Sequence, residues 1–175
     1  MARILLVYST VDGQTREICR RLAKQLIDSG NAVTLADVAE LDPATLGDQD
    51  KIVVGASIRY GQYRPKLIQF VRGQADALEA LPSAFFTVNL VARKPGRDTP
   101  DTNPYVKKLL KETSWRPNEI AVFAGRIDYP RYSWRDRQII RLIMWLTGGP
   151  TDPKTTAEFT DWEKVKAFGD RIGRT

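Results

Sequence analysis

Three short segments hold most of the residues able to do chemistry. The first, Ser9-Thr10-Val11-Asp12-Gly13-Gln14-Thr15, follows an apolar run and precedes a helical pattern. Hydroxyls from Ser9, Thr10 and Thr15, a glycine that lets the backbone approach, and the N–H groups opening a helix together suit a phosphate. The pattern is neither the nucleotide P-loop nor the dinucleotide glycine fingerprint, which argues against ATP and NAD. Taken alone, the loop fits a hydrophilic helix-capping turn as well as it fits a phosphate site.

The second segment runs from Gly55 through Ser57, Ile58, Arg59, Tyr60 and Gly61 to Tyr63. Its small residues and two tyrosines suit a flat aromatic ligand, which can stack on Tyr60 or Tyr63. The third is Asn89-Leu90-Val91-Ala92-Arg93-Lys94-Pro95-Gly96-Arg97. Its backbone can bond the polar edge of such a ring, and its three cations form a dock for carboxylates.

Other chemistries lack their residues. The 175-residue chain has no histidine and a single cysteine, Cys19. No cluster has metal-ligand spacing, so no metal is expected, and no internal disulfide can form. Cys19 reads as a small helix residue. The net charge of +6 points to an anionic partner. It fits nucleic acid in charge alone, without a recognisable motif, so nucleic acid is not expected as a partner.

The elements that must position these loops follow from hydrophobic pattern. Arg3–Ser9 and Lys51–Ala56 are continuous apolar runs, the mark of strands buried on both faces of a parallel sheet. Ala32–Val38, Ser83–Asn89 and Glu119–Ala124 read as three more strands. Helical stripes lie between them, at Ile18, Leu22 and Leu26, at Leu67, Phe70, Val71, Leu78 and Leu81, and at Val106, Leu109 and Leu110. Thr160 to Glu163 has capping-box spacing and opens a last helix with Trp162, Val165, Phe168 and Ile172 inward. The alternation predicts an α/β fold with a doubly wound, five-stranded parallel sheet in one domain, 1–175. Ligands of such folds sit beyond the carboxyl ends of the strands, where strand order reverses. An insertion at 125–160 is too long for an ordinary connection.

Beyond local chemistry, the chain resembles a known family along nearly its whole length. The segments STVDGQTREI (9–18), VGASIRYGQY (54–63), PSAFFTVNLVARKP (82–95), YPRYSWRDR and IIRLIMWLTGG resemble the bacterial menaquinone-dependent protoporphyrinogen IX dehydrogenases. Val11 and Gln62 depart from that pattern, where a basic residue and a histidine are expected. The resemblance implies a flavodoxin-like fold, FMN as cofactor, a place in heme (porphyrin) biosynthesis, and electrons passed to menaquinone or ubiquinone. It implies a six-electron oxidation in two-electron steps, with flavin N5 as hydride acceptor and the catalytic side chains unassigned. Cofactor contacts then fall on Ser9, Thr10, Asp12, Gly13, Gln14, Thr15, Ser57, Ile58, Tyr60, Gly61, Asn89, Leu90, Val91, Ala92 and Arg93. The propionates of protoporphyrinogen IX fall to Arg59, Arg93, Lys94 and Arg97. Two alternatives stay open: an NAD(P)H:quinone reductase, and a flavodoxin-type electron carrier, against which the positive charge speaks.

The insertion carries RQIIRLIMWL, from Arg137 to Leu146. On a helical projection Ile139, Ile140, Leu142, Ile143 and Leu146 share one face. Arg137, Gln138 and Arg141 lie opposite, with Trp134 and Trp145 on that side. This is the composition of a helix lying in a bilayer interface. From 126 to 145 five arginines outnumber two aspartates, which favours an anionic membrane surface. A helix packed on its own domain, or on a second copy in a homo-oligomer, fits the pattern equally. The chain starts directly in a strand, without signal-peptide pattern, and no apolar stretch spans a bilayer. The expected location is peripheral, on the cytoplasmic face of the inner membrane.

Overall fold

The computed structural model describes residues 1–174. The chain forms two compact units, Met1–Gly125 with the residues from Asp161 onward, and Arg126–Thr160. In the first unit, β1 (Arg3–Ser9), β2 (Ala32–Asp37), β3 (Lys51–Ser57), β4 (Ser83–Asn89) and β5 (Glu119–Ala124) form one parallel sheet. Its order is β2-β1-β3-β4-β5. The order reverses between β1 and β3, whose carboxyl ends carry the first two predicted loops.

Alternation along each strand divides the core into two layers. Ile4, Leu6 and Tyr8 of β1 pack on one side, with Ile18, Cys19, Leu22 and Leu26 of α1 (Gln14–Asp28) and Val165, Phe168 and Ile172 of α6 (Trp162–Arg174). Leu5 and Val7 turn to the other side. There they meet Leu67 and Val71 of α2 (Pro65–Gly73), Leu78 of α3 (Ala75–Ala80) and Leu109 of α4 (Pro104–Glu112). Both faces are covered, which is why the strands read as unbroken apolar runs. Burial pushes the Cys19 thiol pKa up, as expected of a packed rather than reactive cysteine.

Two local expectations change. Asp161, not Thr160, caps α6, its Oδ1 accepting from the Glu163 and Lys164 N–H groups at 3.0 and 3.2 Å. Trp162 packs against the core as expected but only partly, and lies beneath the Arg21 guanidinium, 3.6 Å from the ring centroid. An aspartate one residue later reaches the same orphan donors, and a cation over the indole face makes deep burial unnecessary.

On one face of the sheet, Phe168 meets Phe86 and Phe123 edge to face while Phe86 and Phe123 are tilted, at centroid distances of 5.5 to 6.0 Å. Gly55 of β3 makes room for them, because a Cβ there would lie 2.2 Å from the Phe86 ring. Gly55→Ala should lower stability by about 1–3 kcal/mol through overpacking. Gly47→Ala, where nothing lies within 4 Å, should change it by less than about 0.5 kcal/mol. Urea denaturation midpoints of the two variants check this.

Candidate functional site

At the carboxyl end of β1 the chain must leave a fully buried strand and enter α1 within four residues. Ser9 and Thr15 are both completely buried in this passage. Neither hydroxyl, Ser9 Oγ or Thr15 Oγ1, has a hydrogen-bond partner among the described residues. A buried polar group left unpaired costs about 1–3 kcal/mol, so two in one loop call for a ligand rich in oxygen. The loop is otherwise well made. The Gly13 N–H donates to Thr10 Oγ1 at 2.9 Å, and Gly13 takes a left-handed φ of 92°. No side chain caps α1, whose first turn carries Thr15 and the positive end of the helix dipole. Val11 points outward, which accounts for the loop's tolerance of an apolar residue there.

The loop after β3 is locked against the first. Ser57 Oγ donates to the Ser9 carbonyl at 3.4 Å, and the Ile58 N–H extends the sheet to Val88. Arg59 and Gln62 then exchange backbone hydrogen bonds at 3.0 and 3.1 Å around Tyr60 and Gly61. Both central residues have positive φ, 52° and 74°. This is the signature of a type I′ turn, which suits glycine but strains a tyrosine. The strain places the Tyr60 ring outward at the rim, with the Arg59 guanidinium 5.5 Å from its centroid.

Tyr63 goes the other way. It is buried, edge-on to Phe85, with its hydroxyl donating to the Tyr105 carbonyl at 2.8 Å. Burial pushes its pKa up. Of the two tyrosines open to stacking on sequence grounds, the exposed Tyr60 is the one that can offer a ring face.

Arginines from this hairpin grip the first loop. The Arg59 guanidinium pairs with the Asp12 carboxylate, and Arg64 Nη1 donates to the Thr10 carbonyl at 2.9 Å. Burial disfavours the Arg59 charge, but the bond to Asp12, helped by Tyr60, more than offsets this and holds its pKa above the ordinary value.

The third loop is braced from behind by a residue that sequence reading missed. Asn103 is fully buried. Its Nδ2 donates to Asn89 Oδ1 at 3.2 Å and to the Arg97 carbonyl at 2.8 Å. Its Oδ1 caps α4 by accepting from the Tyr105 N–H. Asn89 Oδ1 in turn accepts the Ala92 N–H, winding Leu90–Arg93 into a single 3-10 turn. The signal was present as an N-cap asparagine directly before Pro104. The side chain of Asn89, expected at a cofactor, thus shapes the loop that carries Leu90, Val91 and Ala92. Arg93 Nη1 folds back on the Leu90 carbonyl at 2.8 Å, while Lys94 is half-buried and Arg97 exposed. Asp98 ties the loop to α6 through Lys164 at 2.5 Å, which holds its carboxyl below the usual range.

In the second unit, β6 (Arg126–Asp128) and β7 (Thr156–Glu158) form an antiparallel ribbon beside α5 (Trp134–Thr147). This helix is rotated by part of a turn relative to the projected faces, keeping Ile139, Leu142 and Leu146 together on the exposed side. Arg137 donates to the carbonyls of Tyr129 and Tyr132, and Arg141 to that of Thr151, at 2.7 to 3.4 Å. The irregular segments around the helix present backbone carbonyls toward it, and the multi-donor guanidinium bonds them. Ile140, expected on an exposed apolar face, is instead 5% exposed, with Met144 beside it, and Ile143 is half-buried. Trp134 and Trp145, each about 70% exposed, line up with Ile139, Leu142 and Leu146 on the outer side. Among the described residues no helix is long and apolar enough to cross a membrane, and no acidic, histidine or cysteine cluster could hold a metal.

Asn103→Ala should cost about 1–3 kcal/mol, by loss of a cap and of buried hydrogen bonds. Limited proteolysis should then cut within 90–103 before elsewhere in the chain, as read by mass spectrometry of the fragments.

Comparison with known proteins places this geometry. Residues 5–154 match the flavodoxin domain family. The Escherichia coli K12 protein named protoporphyrinogen IX dehydrogenase (quinone) is 46% identical over 97% of this chain and 94% of its own. A Leishmania major protein of the same name is 42% identical over 95% of this chain and 72% of its own. Among solved structures, oxidised flavodoxins 1 and 2 from Bacillus cereus superpose with TM-scores of 0.55 and 0.56 at 16% and 17% identity. Each comparison covers 98–99% of both chains.

Proposed function

The chain belongs to the flavodoxin-fold family of quinone-dependent protoporphyrinogen IX dehydrogenases, and from that membership we propose that it oxidises protoporphyrinogen IX to protoporphyrin IX using FMN. Menaquinone is the electron acceptor in this reading. The observation that carries it is the pair of buried, unpartnered hydroxyls at Ser9 and Thr15, which fit a phosphate at the start of α1. FMN when bound supplies the two-electron chemistry, and the protein holds it and admits the substrate.

In this assignment Ser9, Thr10, Asp12, Gly13, Gln14 and Thr15 surround the phosphate. Ser57, Ile58, Tyr60 and Gly61 border one side of the ring, and the Asn89–Arg93 turn offers backbone groups to its polar edge. Lys94 and Arg97, on the surface of the third loop, bind the substrate propionates, with Arg93 in a supporting position. Tyr63 is not the proton acceptor, since its hydroxyl is buried and already donating. With no histidine in the chain, that role falls to a carboxylate, to Tyr60 or to water.

The outer stripe of α5, Trp134, Ile139, Leu142, Trp145 and Leu146, rests peripherally on the cytoplasmic face of the inner membrane, where a lipid-soluble quinone is dissolved. Five large apolar side chains exposed on one 14-residue helix support this. Tryptophans near both ends suit the headgroup boundary.

Anaerobic mixing of the FMN-loaded protein with protoporphyrinogen IX should bleach the flavin absorbance, and menaquinone should restore it. No bleaching, with fast reduction by NADPH instead, would favour the reductase alternative. Thr15→Val should weaken FMN binding about tenfold or more, equivalent to about 1.4 kcal/mol, in a fluorescence titration. Leu142→Asp should reduce co-sedimentation with anionic vesicles, whereas unchanged sedimentation would exclude lipid as the partner of that face.

A further inference from the structure

The geometry points to Arg59 as a positioning residue of the phosphate loop rather than a substrate anchor: its ion pair with Asp12 shapes residues 10–13 and cancels a carboxylate that would otherwise oppose a phosphate. This rests on the FMN reading above, but the observations behind it are separate. Asp12 is the one ionised side chain between Ser9 and Thr15. An anionic ligand held in that loop meets like-charge repulsion unless the carboxylate is neutralised.

Neutralisation comes from an arginine that is itself well sheltered. The Arg59 side chain is only 16% exposed, against 41% for Asp12. Its backbone is fixed by the paired hydrogen bonds to Gln62, and the base of the hairpin by the Tyr63 hydroxyl on Tyr105. Arg64, from the same hairpin, holds the Thr10 carbonyl. Two cations therefore grip the residues on either side of Val11, and the loop keeps its shape without side-chain capping of α1. A guanidinium committed in this way would have to abandon Asp12 to bind a propionate. Lys94 and Arg97 require no such exchange.

The test compares FMN with riboflavin, which carries the same ring and ribityl chain but no phosphate. Apoprotein is titrated with each, following flavin fluorescence, and the melting temperature of each apoprotein variant reports folding. Arg59→Gln should weaken FMN binding at least tenfold and change riboflavin binding by less than threefold. Adding Asp12→Asn to Arg59→Gln should recover most of the lost FMN affinity, because no carboxylate is left unpaired. Arg59→Lys, which keeps the charge, should lose less than Arg59→Gln.

Wild-type FMN affinity in Arg59→Gln, with a raised KM for protoporphyrinogen IX, would overturn the proposal and return Arg59 to the substrate. Equal loss of FMN and riboflavin, or a double variant no better than Arg59→Gln, would also overturn it. A wild-type chain that takes up neither flavin would instead overturn the FMN reading itself, and this proposal with it.

Discussion

A parallel sheet covered by helices on both faces has one place for polar chemistry, the edge where its strands end. Everything distinctive in the first unit follows from that constraint. Ser9, Ser57 and Asn89 are the last residues of β1, β3 and β4, and each closes a buried, largely apolar strand with a polar side chain. Their backbone register is fixed by the sheet, with Ser9 opposite Ala56 and Asn89 opposite Ala124. The loops inherit that precision. A shift of one residue in β1 would exchange its two core faces as well as move the loop from Ser9 to Thr15, so packing and loop geometry are specified by the same pairs.

The loops also hold one another. Ser57 reaches the Ser9 carbonyl, Arg59 the Asp12 carboxylate, and Arg64 the Thr10 carbonyl. The third loop is braced by Asn103 instead. These polar ties lie in loops whose apolar contacts are few, and they substitute direction for area. The unfilled hydroxyls of Ser9 and Thr15 stand out against this background of satisfied groups. Tyr60 in a left-handed conformation adds local strain that the surrounding hairpin must hold.

Much of this was readable in the chain. Continuous apolar runs marked β1 and β3, less regular segments marked the other three strands, and small hydroxylated residues after the first strand marked the loop proposed to hold a phosphate. What escaped reading has identifiable physical causes. Tyr60 and Tyr63 are the same residue type three positions apart, and only the turn between them sends one outward and the other inward. Asn103 acts across fourteen residues, beyond any local pattern. The faces of α5 were assigned by polarity, yet the acceptors that draw Arg137 and Arg141 inward come from Tyr129, Tyr132 and Thr151, whose carbonyls no periodicity reveals. Asp161 displaced Thr160 as cap because adjacent capping residues compete on geometry alone.

The outward tryptophans of α5 have a consequence for observing the protein. Of its four tryptophans, Trp115 is fully buried with its Nε1–H donating to Ser83 Oγ, and Trp162 lies under the Arg21 guanidinium. Trp134 and Trp145 face outward on α5. Most of the water-sensitive part of the intrinsic emission therefore originates on a single helix. Iodide quenching and spectral shifts report whatever comes to cover that surface, while the indoles of the first unit supply a comparatively constant internal reference.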